Sequence, residues 1–322
     1  MKILITGSNG FVGSKLIHKF DDLGHEVIGI DNNFETNYEI HHKTINADLA
    51  LNNLEDLLPN DIELIIHCAA AKSDFGISYD EYYKDNVIAT SKLMDFAIIT
   101  KVPKVIYYST VSVYGHDNIL KDENQSLNSN TVYGDTKLGG EYEAKRWVNK
   151  SNKYKLIILR PSVIYGINNF TNMYNLINSM KNNKFFKIGQ GNHIKSMVSI
   201  NNLIEMTLFV FNSNFDSNIE IFNCIDKPYL SVNNLMKIIA KEKKFNMPFI
   251  PIPIWLAYVI ISPFELLSKI TSKDFKYNWN RVSKFCKATD YRSEKIYSLG
   301  YIQKFSTSNE IKTMINWYNK IN

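Results

Sequence analysis

Residues 2–13 read Lys2-Ile-Leu-Ile-Thr6-Gly7-Ser-Asn-Gly10-Phe-Val-Gly13, an apolar run passing directly into three glycines spaced by three. An amphipathic segment, Phe11–Leu23, follows at once. Glycines permit a tight turn and close backbone approach, and free N–H groups at a helix start hold an anionic pyrophosphate. The strand–loop–helix setting is what gives the spacing its meaning. It predicts a dinucleotide-binding loop whose contacts are Gly7, Asn9, Gly10, Phe11, Val12 and Gly13.

The chain beyond this loop repeats the same alternation. Strands are predicted at Lys2–Thr6, Glu26–Asp31, Lys43–Ala47, Leu64–Cys68, Lys104–Ser109 and Leu156–Arg160, with helices at Phe11–Leu23, Tyr82–Thr100 and Val132–Lys150. Several strands are apolar throughout, as expected when helices cover both faces of a sheet. This is the pattern of βαβ units, and it predicts an α/β fold with a doubly wound parallel Rossmann sheet over residues 1–165. After Tyr165 the chain becomes irregular, rich in Asn and Lys and broken at Pro228, Pro248, Pro251 and Pro253. Helices are predicted there at Met173–Lys181, Asn202–Phe211, Asn234–Lys243, Ile254–Ile270 and Ser308–Tyr318, with one further strand at Glu220–Asn223. We read 166–193 and 226–322 as a smaller C-terminal α/β substrate domain, with segments near 194–225 returning to the main sheet. The apolar run Phe249–Phe264 is too short to span a bilayer. It reads as core in preference to the wall of a pocket for a lipid-like substrate.

Composition bounds the function. The 322 residues are 45% hydrophobic and 21% charged, as in an ordinary globular protein. A net charge of +5 suits an anionic small ligand but falls short of the clustered basic face that nucleic acid requires. Cys68, Cys224 and Cys286 are far apart and odd in number, so reduced thiols are expected. No Cys/His cluster has ligand spacing, and no structural metal is expected. The N-terminus enters a strand directly, without a secretory leader, which predicts a cytoplasmic protein.

Asp31 ends the second strand, 18 residues beyond Gly13. A carboxylate there accepts hydrogen bonds from the adenosine ribose and repels a 2′-phosphate. Asn32 and Asn33 follow, with no Arg to welcome that phosphate, so NAD is favoured over NADP. Asp48 and Leu49, just after the third strand, are placed for the adenine ring. Downstream, Tyr133 and Lys137 lie four apart on a predicted helix, hence on one face. An ammonium beside a phenol favours the phenolate and lowers its pKa, which suits hydride chemistry on a hydroxyl or ketone. Ser109 and Thr110 end the fifth strand at the carboxyl edge of the sheet, where open α/β folds place ligands. A hydroxyl there can bond the reacting oxygen and relay its proton to Tyr133.

With these motifs the chain resembles the extended short-chain dehydrogenase/reductases, specifically the NAD-dependent sugar-nucleotide epimerases, dehydratases and reductases. The resemblance runs essentially full length. It is carried by the glycine loop, His67-Cys-Ala-Ala70, Asn86-Val-Ile-Ala-Thr90, Ser109-Thr110 with Val113-Tyr114-Gly115, Tyr133-x-x-x-Lys137, Arg160-Pro161, Tyr165-Gly166, Lys195–Leu203 and Leu299-Gly300-Tyr301. It implies Tyr133 as general acid/base, Lys137 as its modulator and ribose ligand, and Thr110 as hydroxyl partner. It further implies Ala69 and Ala70 beside the cofactor, Lys72 near its diphosphate or ribose, and Asn86 supporting the active-site helix.

Departures from the family pattern remove some reactions. Val111 and Ser112 stand where dehydrating members resemble one another in carrying Asp-Glu, and neither does acid/base work at neutral pH. Val163 replaces an Asn usual in 4-epimerases. Ser112, Lys187, Lys195 and Arg281 are candidates for holding a UDP- or GDP-hexose. The resemblance implies an NAD-dependent 4-epimerase of a nucleotide-linked hexose, with a net 4-keto reductase, a 3β-hydroxysteroid-type dehydrogenase or an inactive NAD-binding scaffold as rivals. It also implies a homodimer through the helices Tyr82–Thr100 and Val132–Lys150.

Overall fold

Seven parallel strands form the central sheet of the computed structural model, which describes residues 1–72, 77–115, 119–182, 184–243, 251–271, 279 and 286–322. The strands are β1 (Lys2–Thr6), β2 (Glu26–Asp31), β3 (Thr44–Asn46), β4 (Leu64–His67), β5 (Lys104–Tyr108), β6 (Lys155–Pro161) and β9 (Ile219–Cys224). Their order is β3-β2-β1-β4-β5-β6-β9. β7 (Val163–Tyr165) and β8 (Met197–Ser199) pair separately as a short parallel ribbon. The last sheet strand is reached only after the chain has left the sheet and come back.

Helices cover both faces, which is why the strands are apolar on both sides. On one face α1 (Gly13–Asp22) and α6 (Ile200–Asn212) bury Leu16, Ile17, Phe20, Leu203, Met206 and Val210 against Ile3, Ile5 and Ile66. On the other, α3 (Ala89–Ile99) and α4 (Val132–Val148) bury Leu93, Met94, Ala144 and Trp147 against Leu4, Ile65 and Val105. Between β4 and α3 the predicted single helix divides. A short α2 (Tyr79–Tyr83), started by a Ser78/Glu81 capping box, passes through a π-helical turn at Lys84–Ile88 before α3. The wider turn carries Asn86, and π-turns inside helices recur at functional positions.

A smaller cluster joins α5 (Asn172–Lys181), α7 (Val232–Lys243) and the C-terminal α10 (Thr307–Ile321) through Met173, Ile177, Met236, Ile239, Ile311 and Ile315. Among the described residues, α8 (Ile254–Thr271) and the short α9 (Glu294–Ser298) complete the α-helices.

α8 departs from expectation. Ala257 is buried, but every residue exposed between 253 and 263 is apolar, including Trp255 at 66% exposure and Val259 at 59%. The segment expected to be core is therefore core on one side only. Its sequence is apolar all round, and periodicity could not tell an outward apolar face from an inward one. Among the described residues, no helix is long and apolar enough to cross a membrane.

Candidate active site

The sheet order reverses between β1 and β4, so the loops after these strands flank one crevice, as at the switch point of an open α/β sheet. Gly7 follows β1 with φ +65°, and a Cβ there would stand 2.7 Å from the Ala69 backbone nitrogen. A Cβ on Gly13 would stand 2.0 Å from the Gly7 carbonyl oxygen. Both positions therefore need glycine, the first for conformation and both for space. Gly10 N–H donates to the Gly7 carbonyl at 3.0 Å and closes the turn. Val12 heads α1, and no side chain caps this helix start, which leaves the cap to a ligand. The side-chain oxygens Ser8 Oγ and Asn9 Oδ1 are buried in the loop without a protein partner.

Asp31 is held by the same loop. Its carboxylate accepts the Asn9 N–H at 2.9 Å and the Asn33 N–H at 2.8 Å, while Asn9 Nδ2 donates to the Asn33 carbonyl. The glycine loop and the end of β2 thus form one rigid cradle. Asp48 accepts from Lys84 Nζ at 2.9 Å and from the Ala50 N–H, shares a hydrogen bond with Asn32, and precedes the buried Leu49. Asp31→Asn removes the charge and one acceptor from the cradle. It is expected to weaken NAD binding about tenfold or more and to narrow the preference over NADP, read by calorimetric titration with both cofactors. An unchanged NAD/NADP ratio would remove Asp31 from the specificity role.

The loop after β4 runs through Ala69 and Ala70 to the exposed Lys72. Asn86 fixes it: Oδ1 accepts the Ala71 N–H at 2.9 Å, and Nδ2 donates to Thr136 Oγ1 on α4 at 3.0 Å. The fully buried Asn86 therefore ties the cofactor-side loop to the helix bearing Tyr133 and Lys137. His67 lies beneath, its ring nitrogens bonded to Thr6 and Thr90, and burial holds its pKa well below the ordinary value.

Thr131 caps α4 by accepting the Gly134 N–H, which sets Tyr133 in the first turn. Thr110 caps the 3-10 turn Val111–Tyr114 through the Ser112 N–H, and its hydroxyl shares a hydrogen bond with Tyr133. Ser112 lies against the start of α4, its carbonyl oxygen 2.6 Å from where a Cβ on Gly134 would fall. One helical turn on, Lys137 is 1% exposed, and its Nζ has no hydrogen-bond partner in the protein. The ammonium lies 4.4 Å from the centre of the Tyr107 ring. Burial lowers its pKa to about 8, opposed by Cys68 and Glu141.

Tyr133 is not acidified by the protein alone. In the protein alone its phenol is pushed up to about 12, by burial first and by Tyr82 second, against the hydrogen bond shared with Thr110. The Tyr82 ring is 6.4 Å away. An ammonium directed over Tyr107 does not by itself acidify this phenol.

Ser109 serves a different network. Its hydroxyl donates to Glu141 at 2.6 Å, and Arg160 clamps the same carboxylate through Nε at 2.8 Å and Nη2 at 2.6 Å. Arg160 Nη1 reaches Tyr114 Oη, which donates in turn to Asn223 on β9. This buried pair joins β5, β6, α4 and β9 behind the catalytic face. Sequence reading gave Arg160 no role beyond a motif and missed Glu141, which lies one helical turn beyond Lys137. The i, i+4, i+8 spacing of Tyr133, Lys137 and Glu141 was the available signal.

Lys195 Nζ donates to the Lys287 carbonyl at 2.6 Å, and burial lowers its pKa to about 8. Lys187 Nζ is 3.5 Å from Asn233 Oδ1. Arg281 lies outside the described residues.

A glycine loop closed against an acidic strand end, with Thr110, Tyr133 and a buried Lys137 near by, is an arrangement that suits nicotinamide-dependent chemistry on a hydroxyl or ketone. The chain belongs to the NAD-dependent epimerase/dehydratase family, whose model matches residues 3–224. It is 28% identical over 308 residues to N-acetyl-alpha-D-glucosaminyl-diphospho-ditrans,octacis-undecaprenol 4-epimerase of Escherichia coli O157:H7, covering 95% of this chain and 92% of the relative. It is also 28% identical over 263 residues to a putative UDP-glucose 4-epimerase of Methanocaldococcus jannaschii, covering 76% and 83%. In fold it is similar to UDP-glucuronic acid 4-epimerase from Bacillus cereus in complex with UDP-glucuronic acid and NAD, with TM-score 0.76, 22% identity and 100% of both chains covered.

The family cofactor is NAD, and the residues present fit it. Glycines leave room for close backbone approach, the Asp31 carboxylate stands against the glycine loop at the end of β2, and the buried Lys137 ammonium has no hydrogen-bond partner in the protein.

Proposed function

We propose that the chain is an NAD-dependent 4-epimerase of a hexose carried on a diphosphate, nucleotide-linked in the first reading. The observation that carries it is the Thr110–Tyr133 hydrogen bond beside an unpartnered buried Lys137. When bound, NAD supplies reversible hydride storage at the sugar carbon. Tyr133 takes the proton of the C4 hydroxyl and returns it once the sugar has turned, so the reaction has no net redox change. Thr110 holds the reacting oxygen and passes its proton to Tyr133. Lys137 holds ribose hydroxyls and keeps positive charge near the phenol. Val111 and Ser112 offer no acid or base to eliminate water, which supports epimerisation over dehydration.

The substrate lobe in this reading is 166–193 with 226–322; Lys187 from that lobe and Lys195 from the returning segment meet the diphosphate. A second reading, in which the diphosphate is carried by a polyprenol, is supported by the end-to-end match to the Escherichia coli epimerase. The test is incubation with NAD and a panel of UDP- and GDP-hexoses and polyprenyl-diphosphate hexosamines, followed by sugar NMR and nicotinamide absorbance. Interconversion of C4 isomers without net NADH is expected. Stoichiometric NADH would make the enzyme a dehydrogenase instead.

The homodimer belongs to the same proposal. Ile88 and Tyr142, in the π-turn and on α4, are exposed where a four-helix interface would form. Sedimentation velocity is expected to give twice the chain mass, and a monomer at micromolar concentration would remove the interface.

A further inference from the structure

α8 presents an outward face made of Pro253, Ile254, Trp255, Val259, Ile260 and Pro263, with no polar residue exposed among them. Contiguous apolar surface of this kind marks a place of interaction. The face adjoins a basic segment. Ile252 N–H donates to the Lys187 carbonyl at 2.8 Å, and Gly189 N–H donates to the Ile252 carbonyl at 2.9 Å. Just before that pairing stand the exposed Lys184 and Phe186, the latter at 63% exposure.

Charge narrows the choice of occupant. No Asp or Glu occurs between Glu143 and Glu205 or between Glu242 and Glu265, whereas Lys181, Lys184, Lys187 and Lys195 all fall in the first interval. A protein partner matched to this rim would have to be both apolar and acidic. An anionic bilayer is both by constitution: its acyl boundary receives Trp and aliphatic side chains, and its headgroups attract Lys. Trp at the edge of such a face suits the headgroup level. No helix among the described residues spans a membrane, so contact would be peripheral.

We infer that α8 seats this protein on an anionic membrane surface, with the 184–187 segment as its electrostatic rim. The basic segment also contains Lys187, so the membrane would lie beside the proposed diphosphate site. Docking deepens the polyprenyl-carrier reading above, and it is measured apart from turnover.

The experiment is co-sedimentation of the full-length protein with vesicles of phosphatidylcholine alone or mixed with phosphatidylglycerol. The wild type is expected to partition onto the mixed vesicles and to be released as salt rises. A Trp255→Gln/Val259→Gln/Ile260→Gln variant is expected to partition at least about tenfold less, with interconversion of soluble nucleotide sugars unchanged. Trp255→Gln alone gives a smaller loss of the same sign and serves if the triple variant does not fold. Wild type left in the supernatant, or variants that bind as well as wild type, would overturn the inference. So would a wild-type oligomer that the triple variant dissolves without vesicles, since the face would then belong to a second copy. Vesicle binding with no turnover of any diphosphate-linked sugar would sink the epimerase reading and leave the docking face standing.

Discussion

Tyr133→Phe is expected to lower turnover by about 10²- to 10⁴-fold while NAD affinity and unfolding midpoint stay close to wild type. The substitution deletes one hydroxyl and keeps the ring that lies 6.4 Å from Tyr82. Thr110 keeps its hydrogen bond to Ser112, so no buried group is orphaned. What is lost is the phenol hydrogen-bonded to the strand-end hydroxyl at the cofactor crevice. Because burial pushes that phenol up to about 12 in the protein alone, it is protonated at neutral pH and must be acidified by charge that arrives with the cofactor. Wild-type turnover should therefore rise with pH toward a plateau, and the residual rate of the Phe variant should lack that limb. Rates measured across pH at saturating substrate check both. A variant retaining more than a tenth of wild-type activity would place the acid/base elsewhere.

Lys137→Met should move two measurements in opposite directions. Burial lowers the Lys137 pKa from the ordinary 10.5 to about 8. At about 1.4 kcal/mol per unit, holding the charged form in the unliganded fold costs up to about 3 kcal/mol. The unfolded chain binds this proton more tightly than the folded one. The penalty is therefore full below pH 8 and disappears as pH rises past about 10.5. Unliganded Lys137→Met should be more stable than wild type at pH 7, by about 3 kcal/mol less the lost contact with the Tyr107 ring. The difference should shrink toward pH 10. NAD binding should weaken by more than about tenfold, because the ammonium proposed to meet the ribose is gone. Urea unfolding without cofactor at both pH values, with calorimetric titration of NAD, reads each arm. A lower midpoint at pH 7 would mean that the ammonium is satisfied within the protein.

Both expectations start from residues that are legible in the sequence. The glycine loop, Asp31, Thr110, Tyr133 and Lys137 stand out because each lies within a few residues of the element that positions it. A loop glycine is set by its neighbours, a strand-end carboxylate by its strand, and an i, i+4 pair by one helical turn. The central sheet strands are legible for the same reason, since a strand buried on both faces is apolar throughout. β7 and β8 are not, because their three residues run on from β6 and into α6 with no break in the sequence to mark them. Ser109 illustrates the other limit. Its place at the end of β5 is readable, but its hydroxyl bonds Glu141 because Arg160 arrives from β6 and neutralises that carboxylate. Asn86 is readable as a motif residue, yet its bridge from Ala71 to Thr136 exists only where the loop after β4 meets α4.

α8 shows the division most plainly. The sequence by itself determined that this segment is apolar, helical from Ile254 on through Pro263 and, as an apolar run, too short to span a bilayer. Whether that surface faces core or solvent was decided only by tertiary structure. Hydropathy records how much a side chain gains by leaving water, and the packing of the rest of the chain decides which faces do so.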